Sequence, residues 1–242
     1  MKISVAQIAS VKGDVLANTI KHKKVIELAA KNGSDVIVFP ELSLTGYEPT
    51  LGKKLAMSET DSRWNEFQEI ANAQKIIIAL GAPIKCDSGI CISLVVLQPD
   101  TELFIYSKRY LHADEDAFFV SGNSPSNLIG KDNNMALAIC YEIFIPEHSE
   151  QSISKGVEVY IASVAKGESG VKSAKKTLSD IAKKHSVFTL MSNTIGSTDN
   201  YISFGSSFIM NNKGELLDEL SSDNEGLTTL DTETQKTSKL LL

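Results

Sequence analysis

The stretch Met135-Ala136-Leu137-Ala138-Ile139-Cys140-Tyr141-Glu142 decides the fold class of this chain. Its five apolar residues are typical of a buried strand, and a thiol follows them directly. In α/β folds, ligands collect beyond the carboxyl ends of the strands, so a thiol in this position is expected to face a cleft. Two other segments have the same form, residues 35–41 and 103–108, and they end in Glu41 and Lys108. The three strand ends together offer a carboxylate, an ammonium group and a thiol.

Strand and helix patterns alternate along the chain, and strands joined by hairpins interrupt the alternation. Helices are predicted at 18–32, 62–74, 147–155 and 171–185, and strands at 2–8, 35–39, 75–81, 90–98, 103–108, 134–140, 158–162, 187–192, 206–211 and 226–231. The sequence Asn211-Asn212-Lys213-Gly214 predicts a hairpin turn between the last two strands, and Pro83 is expected in a turn. Nearly every strand is apolar on both faces. This indicates an α/β protein with two sheets packed face to face and helices outside.

Composition and charge exclude several classes of protein. The chain has 242 residues, which fits a single domain over residues 1–242, because α/β domains commonly reach ~200 to 250 residues. A hydrophobic share of 42% and a charged share of 22% are ordinary for a soluble globular protein. No apolar run reaches the ~20 residues of a membrane span, and the start lacks the pattern of a secretory signal, so we expect a cytoplasmic protein without a membrane partner. The net charge of -6, without a basic stripe, argues against nucleic-acid binding.

The cysteines and histidines do not predict a disulfide framework or a metal site. The chain has three cysteines, and disulfides are not expected in a reducing cytosol. Cys86 and Cys91 have no histidine at a spacing typical of zinc sites, so we interpret them as structural. The four histidines are scattered singly and form no ligand pair at helical spacing.

Cys140 needs a partner to act as a nucleophile. A thiol with an ordinary pKa of ~8.5 is only modestly nucleophilic at neutral pH, and a neighbouring base or cation activates it. No histidine occupies a comparable strand end, which leaves a carboxylate as the base. Glu41 could take the thiol proton and return it to a leaving amine. Lys108 and the N–H that follows Cys140 could stabilise the negative charge on an intermediate derived from a carbonyl or a nitrile. The expected reaction class is acyl transfer to water.

Three segments, in this order along the chain, resemble the motifs of the nitrilase superfamily, the carbon-nitrogen hydrolases with a Glu-Lys-Cys triad. They are residues 38–47, 106–111 and 138–147. Glu115 resembles the second, supporting glutamate of that family. The resemblance extends over roughly residues 2–231 and implies a four-layer αββα sandwich.

The resemblance also implies roles for four residues. Cys140 would be the nucleophile, Glu41 the general base and Lys108 the stabiliser of the tetrahedral intermediate, while Glu115 would orient the substrate and the triad. The implied reaction is hydrolysis of a small amide or carbamoyl compound. It proceeds through a thioester at Cys140, releases ammonia or an amine, and requires no metal or organic cofactor.

The substrate pocket is less well defined by the sequence. Tyr47 and Tyr141 are expected to form pocket walls. The loop at residues 163–168 lines the pocket in this family, and here Lys166 or Glu168 could bind a charged end of the substrate. Both could equally be solvated loop charges, which is the more frequent case.

Several hypotheses remain open at this point. An amidase-type hydrolase is the first, and the alternatives are a true nitrilase or a noncatalytic binding or assembly protein that has kept the fold. Members of the family commonly pair through the helices that flank the catalytic cysteine, which correspond to residues 147–155 and 171–185. The resemblance therefore implies a homodimer or a larger homo-oligomer. The acyl group and the leaving amine are not specified.

Overall fold

Two β-sheets packed face to face form the centre of the protein. The computed structural model describes residues 1–153 and 156–242. The helices are α1 (Val15–Lys31), α2 (Gly52–Leu55), α3 (Arg63–Gln74), α4 (Pro146–Ser152) and α5 (Glu168–His185). The strands are β1 (Lys2–Gln7), β2 (Val36–Val38), β3 (Ile77–Cys86), β4 (Gly89–Leu97), β5 (Phe104–Ser107), β6 (Leu128–Ile129), β7 (Met135–Ile139), β8 (Val159–Val164), β9 (Phe188–Asn193), β10 (Ile195–Thr198), β11 (Tyr201–Phe204), β12 (Phe208–Met210), β13 (Leu216–Glu219), β14 (Gly226–Asp231) and β15 (Thr237–Leu241). None of the helices in the described part of the chain is long and apolar enough to cross a membrane.

The two sheets have related topologies. The first sheet has seven strands in the order β15-β14-β1-β2-β3-β4-β5, and the second has six in the order β13-β12-β9-β8-β7-β6. Strands β1, β2 and β3 are parallel, as are β7, β8 and β9, and antiparallel strands complete each sheet. The carboxyl ends of the parallel strands within each sheet meet at one edge, where the candidate site lies.

Alternating side chains divide the core into three layers of apolar contacts. On β7, Leu137 and Ile139 pack between the sheets, whereas Ala136 and Ala138 face outward with the apolar residues of α5. Helices α1 and α3 cover the outer face of the first sheet. The layers therefore stack in the predicted order of helix, sheet, sheet and helix. Small residues on the outer face of β7 leave room for the helix to approach the sheet.

Hydroxyl groups of the second sheet donate hydrogen bonds to backbone carbonyls at the strand ends of the first sheet. Ser163 Oγ lies 2.8 Å from the Phe39 carbonyl oxygen, Ser192 Oγ 2.6 Å from that of Ala6, and Thr194 Oγ1 2.8 Å from that of Ile8. These groups are buried, so leaving either side unpaired would cost ~1 to 3 kcal/mol. The bonds therefore fix the position of one sheet relative to the other beside the site.

Several predicted elements need correction. The hairpin turn at Asn211 to Gly214 is present, but the strand after it is β13, so the prediction that it joins residues 206–211 to 226–231 is wrong. β14 instead pairs with β1 in the other sheet. Pro83 lies within β3 and not in a turn. It pairs with Ile92 of β4, and on its other side β2 ends its pairing at Ala79, so that only the N–H of Met57 contacts Pro83 there, as a donor to its carbonyl oxygen.

Helix boundaries also differ from the predictions. Helix α1 begins before residue 18 because the Asp14 side chain accepts a hydrogen bond from the N–H of Ala17 and caps the helix. Helix α5 begins at Glu168, one turn earlier than predicted. The predicted helix at 147–155 corresponds to α4, which ends at Ser152, and residues 154–155 of that prediction lie outside the described residues.

Candidate active site

The four residues predicted to be catalytic come from four separate segments. Glu41 follows β2, Lys108 follows β5, Cys140 follows β7, and Glu115 lies between β5 and β6. Lys108 Nζ is 2.8 Å from Glu41 Oε1 and 2.7 and 2.8 Å from the two carboxylate oxygens of Glu115. The side chains of the lysine and both glutamates are at most 1% exposed. A buried ammonium group thus holds two carboxylates at its sides.

Two glycines allow the backbone of these segments to approach neighbouring strands closely. A Cβ atom on Gly81 of β3 would lie 2.2 Å from the Pro40 carbonyl oxygen, next to Glu41. A Cβ atom on Gly122 would lie 2.4 Å from the Ser107 Cβ, next to the lysine of the site. Both distances are shorter than any side chain tolerates. The turn that carries Glu41 therefore lies directly against β3.

Glu115 is held from two further directions. The Tyr47 hydroxyl donates to Glu115 Oε1 at 2.9 Å, and the N–H of His112 donates to Oε2 at 2.8 Å. Tyr47, predicted as a pocket wall, therefore also orients the supporting glutamate. With Lys108 included, both oxygens of Glu115 have partners, which leaves this carboxylate little freedom to rotate.

Cys140 adopts a backbone conformation that is uncommon for any residue other than glycine. Its φ is 47°, at the point where β7 ends and a short 3-10 segment, Cys140–Phe144, begins. The chain turns sharply out of the sheet there. The half-buried thiol lies 3.9 Å from the carbonyl oxygen of Ala165, which follows the adjacent strand β8. Strained conformations of this kind concentrate at functional sites.

Burial and the neighbouring carboxylate keep the Cys140 thiol protonated. Burial, followed by repulsion from Glu41, raises the pKa of the Cys140 thiol to about 11, although Lys166 and Lys108 act in the opposite direction. Burial also raises the pKa of Glu41, against the attraction of Lys108. Burial opposes the charge of Lys108, but Glu41, the thiol and Glu115 outweigh it and raise the pKa of the ammonium group. The resting site therefore combines a neutral thiol, a carboxylate whose pKa is raised and a permanent cation.

The two carboxylate oxygens of Glu41 differ in their hydrogen bonding. Lys108 binds Oε1, whereas Oε2 is buried and has no hydrogen-bond partner among the described residues. An unpartnered carboxylate oxygen in a buried site is costly, and a catalytic role is one of the reasons for which proteins retain such a group. The charge of Glu41 also raises the pKa of the Cys140 thiol, so the two groups interact electrostatically.

Glu142 connects the segments that carry Lys108 and Cys140. Its Oε1 accepts a hydrogen bond from the N–H of Arg109 at 2.6 Å, and its Oε2 accepts one from the N–H of Ile139 at 2.7 Å. Arg109 follows the lysine and Ile139 precedes the cysteine, so one buried carboxylate fixes both strand ends. Burial raises the pKa of Glu142, and the two backbone donors oppose that shift.

A chain of hydrogen bonds supports Glu142 from behind. Tyr106 Oη lies 2.8 Å from Glu142 Oε2 and 2.8 Å from His148 Nε2, and His148 Nδ1 lies 2.8 Å from Tyr160 Oη. Burial lowers the pKa of His148 to about 4, so its ring is neutral and carries one proton. The bonds are then all satisfied when Tyr160 donates to Nδ1, Nε2–H donates to Tyr106, and Tyr106 donates to the carboxylate.

A cavity of about 500 Å³ opens above the thiol. Four of the predicted site residues, Tyr47, Glu115, Cys140 and Tyr141, line it. Glu41 and Lys108 are buried behind this wall and are not part of the lining. The other lining residues are His112, Asp114, Phe144, Ala165, Lys166, Gly167, Ser169, Gly170, Ser173 and Tyr201.

Sequence reasoning missed or misjudged part of this lining. Tyr201 of β11 donates a hydrogen bond to the Ala165 carbonyl oxygen at 2.8 Å. The Cys140 thiol contacts the same oxygen, so Tyr201 lies beside the thiol. No local pattern points to it, because β10 and β11 form a separate hairpin. Glu168 is an exposed, solvated charge as the more frequent case predicts, but it lies in the first turn of α5 and not in a loop, and it pairs there with Lys172. For Lys166 that reading is wrong, because its side chain is buried at the cavity.

Residues 2–239 match the family model described as Carbon-nitrogen hydrolase. The chain belongs to the carbon-nitrogen hydrolase family. The match extends over nearly the whole chain and confirms the resemblance drawn from the three motifs. Carbon-nitrogen hydrolases of this kind make up the nitrilase superfamily named above.

Curated relatives include both long and short proteins. The glutamine-dependent NAD(+) synthetase of Acinetobacter baylyi is 26% identical over 229 residues, which are 89% of this chain and 41% of that protein. The synthetase of Aquifex aeolicus is 27% identical over 95% of this chain and 42% of its own length. An (R)-stereoselective amidase from Pseudomonas sp is 26% identical over 92% of this chain and 82% of that enzyme. The chain thus spans about two fifths of the two synthetases.

Solved structures support the fold. An amidase from Nesterenkonia sp. AN1, in a form with the acetamide moiety of fluoroacetamide on its active-site cysteine, superposes with a TM-score of 0.84 at 21% identity, covering 96% of this chain and 89% of that one. A cysteine-to-serine variant of the same amidase, described as belonging to the nitrilase superfamily, gives a TM-score of 0.85 at 20% identity, covering 97% of this chain and 92% of that one.

Glu142→Gln tests the link between the two catalytic strand ends. The amide keeps one acceptor oxygen, so a buried backbone N–H faces an NH₂ group and loses its partner. We expect a loss of about 1 to 3 kcal/mol in the free energy of unfolding, measured by urea denaturation. Glu147→Gln, which changes an exposed carboxylate of α4, is the matched control. Equal stability of the two variants would contradict the role assigned to Glu142.

Glu41→Gln tests the electrostatics of the thiol. Because the charge of Glu41 repels a thiolate, its removal should lower the pKa of Cys140 below the native value of about 11. The measurement is the pH dependence of iodoacetamide alkylation, followed at the Cys140 peptide by mass spectrometry. Glu168→Gln removes an exposed carboxylate beside the cavity and should leave the profile unchanged. A profile that stays in place or moves to higher pH in Glu41→Gln would show that the repulsion is not present.

Proposed function

We propose that this chain hydrolyses a carbon-nitrogen bond, other than a peptide bond, in a small amide or carbamoyl compound. The observation that carries the proposal is the position of the Cys140 thiol at the cavity, with the buried Lys108 cluster and its unpartnered Glu41 oxygen behind it. A nucleophile, a base and a cation are thus assembled at one point. This combination suits acyl transfer, in which a proton must move while negative charge develops on oxygen.

The first half of the proposed reaction forms a thioester. Glu41 takes the proton of Cys140 as the sulfur attacks the carbonyl carbon of the substrate. Lys108 and the backbone N–H of Tyr141 stabilise the negative charge on the carbonyl oxygen. The intermediate then expels its nitrogen, which receives the proton from Glu41 and leaves as ammonia or an amine. The raised pKa of the thiol favours this concerted transfer over a standing thiolate.

The second half releases the acid. A water molecule enters the position that the amine has left and gives a proton to Glu41 as its oxygen attacks the thioester. The second tetrahedral intermediate collapses, the carboxylic acid leaves, and the proton returns to the Cys140 sulfur. Over the cycle, one amide and one water become one acid and one ammonia or amine, so the balance is complete without a co-reactant.

The relatives support amide chemistry but do not specify the substrate. Two of them are glutamine-dependent synthetases, which are more than twice as long as this chain, and another is an (R)-stereoselective amidase. A nitrilase from Pyrococcus abyssi is also 26% identical over 86% of this chain. Glutamine and short aliphatic amides therefore belong in the first set of substrates to be tested, together with carbamoyl compounds and nitriles.

Ammonia release from that set of compounds tests the proposal. We expect turnover of at least one amide or carbamoyl compound, and a loss of at least ~1,000-fold in Cys140→Ala, because the covalent route is then closed. Cys91→Ala, at a buried cysteine away from the cavity, is the matched control and should keep turnover. Turnover of nitriles alone would identify a nitrilase. Equal release by wild type and Cys140→Ala, or none from any compound, would contradict the proposal and favour a noncatalytic binding protein.

We also propose that the chain forms at least a homodimer through the segments of α4 and α5 that flank the catalytic cysteine, in line with common pairing in this family. Light scattering at micromolar concentrations measures the mass directly. We expect the mass of two or more chains, and a mass of one chain across that range would contradict the proposal.

A further inference from the structure

Lys166 is a buried cation at the cavity that no ion pair accounts for. It follows β8, lines the cavity with Cys140, and is only 9% exposed. None of the ion pairs formed within residues 1–153 and 156–242 includes it. The stem of Lys166 is buried, whereas its ammonium group reaches the cavity, where a ligand can approach it.

The surroundings of Lys166 stabilise its charge without neutralising it. Its Nζ lies 4.7 Å from the centroid of the Phe144 ring, a cation–π contact. Its stem runs along Gly170 in the first turn of α5, where an added Cβ atom would lie 3.2 Å from Lys166 Cβ. The absence of a side chain at Gly170 therefore makes room for the lysine.

The backbone of Lys166 is firmly held, so its side chain starts from a fixed point. The N–H of Lys166 donates to Asn193 Oδ1 at 2.8 Å, and Asn193 Nδ2 donates back to the Lys166 carbonyl oxygen at 3.0 Å. The N–H of Phe204 donates to the same carbonyl oxygen at 2.9 Å. Exposed loop lysines are not held in this way, and the arrangement resembles that of a positioned binding residue.

The amino end of α5 adds positive potential to the same part of the cavity. Gly167, the N-cap residue, provides no side-chain hydrogen bond, and no other described residue caps this 18-residue helix through its side chain. Ser169 and Gly170 of the first turn line the cavity. The unpaired N–H groups of a helix start attract anions, and here they adjoin a buried ammonium group.

The other charged groups in the lining have partners. Asp114 pairs with His112 at 2.5 Å, and Glu115 is bound by Lys108. Among the lining residues that the structure describes, Lys166 is therefore the cation without an ion-pair partner. Its position is also close to the chemistry, because it follows Ala165, whose carbonyl oxygen lies 3.9 Å from the Cys140 sulfur.

We propose that Lys166 and the first turn of α5 bind a carboxylate of the substrate, so that the preferred substrates are short amides or carbamoyl compounds with a free carboxylate at the end away from the scissile bond. This inference rests on the proposed function and narrows its substrate class. Monoamides of dicarboxylic acids and N-carbamoyl amino acids have the required form. A cavity of about 500 Å³ admits a short chain between the two ends.

The test compares kcat/KM for carboxylated and neutral amides of similar length, succinamate and glutaramate against butyramide and valeramide. Wild type should favour the carboxylated amides at least tenfold. In Lys166→Met this ratio should fall at least tenfold, mainly through KM, whereas Lys166→Arg should retain most of it. The ratio is used because a change in thiol reactivity affects both classes of amide alike. Lys172→Met, which removes an exposed charge one turn along α5, should leave the ratio unchanged.

Three outcomes would overturn the inference while leaving the proposed function intact. They are the absence of a preference in wild type, an equal loss for both classes of amide in Lys166→Met, and an equal fall of the ratio in Lys172→Met. Absence of all turnover would contradict the proposed function instead. Calorimetry then decides the inference, with glutarate and glutaramide added to Cys140→Ala. Tighter binding of glutarate that Lys166→Met abolishes supports a carboxylate site, and any other result overturns it.

Discussion

The ammonium group of Lys108, buried between two carboxylates, is the constraint on which the candidate site depends. An ion removed from water to this extent is stable only if its partners are held in good geometry. Glu41 and Glu115 therefore cannot move independently, and the segments that carry them must close around the lysine. The cluster has one positive and two negative groups when both carboxylates are ionised. Together with burial, which is the larger cause, this excess of negative charge keeps the neighbouring thiol neutral.

The rest of the fold holds the three strand ends that carry Glu41, Lys108 and Cys140 in fixed relative positions. Glu41 and Lys108 belong to one sheet and Cys140 to the other, so the relative position of the sheets sets the distance between base and nucleophile. Glu142 bonds to the backbone beside both Lys108 and Cys140, and Ser163 bonds from the second sheet to the backbone two residues before Glu41. These contacts are buried, and they make the geometry of the site a property of sheet packing.

The sequence predicts the parts of this arrangement that local pattern encodes. An apolar strand followed by a polar residue points to Glu41, Lys108 and Cys140, and the αββα layering follows from strands that are apolar on both faces together with the family resemblance. Features set by distant residues are not visible. Lys166 looks like a loop charge until Asn193 and the first turn of α5 enclose it. Strand β13 is not visible in the sequence either, because its four residues are exposed or half-buried and lack the apolar pattern of a core strand.

The burial of Glu41 and Lys108 behind the cavity wall has a consequence for the order of events in the proposed reaction. Attack on a thioester at Cys140 has to come through the cavity that the substrate occupied, since the opposite side is filled by protein. The amine must then leave the cavity before water enters it, and this order of events is a ping-pong mechanism. Any small nucleophile that fits the cavity, such as hydroxylamine, competes with water for the acyl group. In the proposed reaction, the shape of the cavity would thus decide whether water or another nucleophile takes the acyl group.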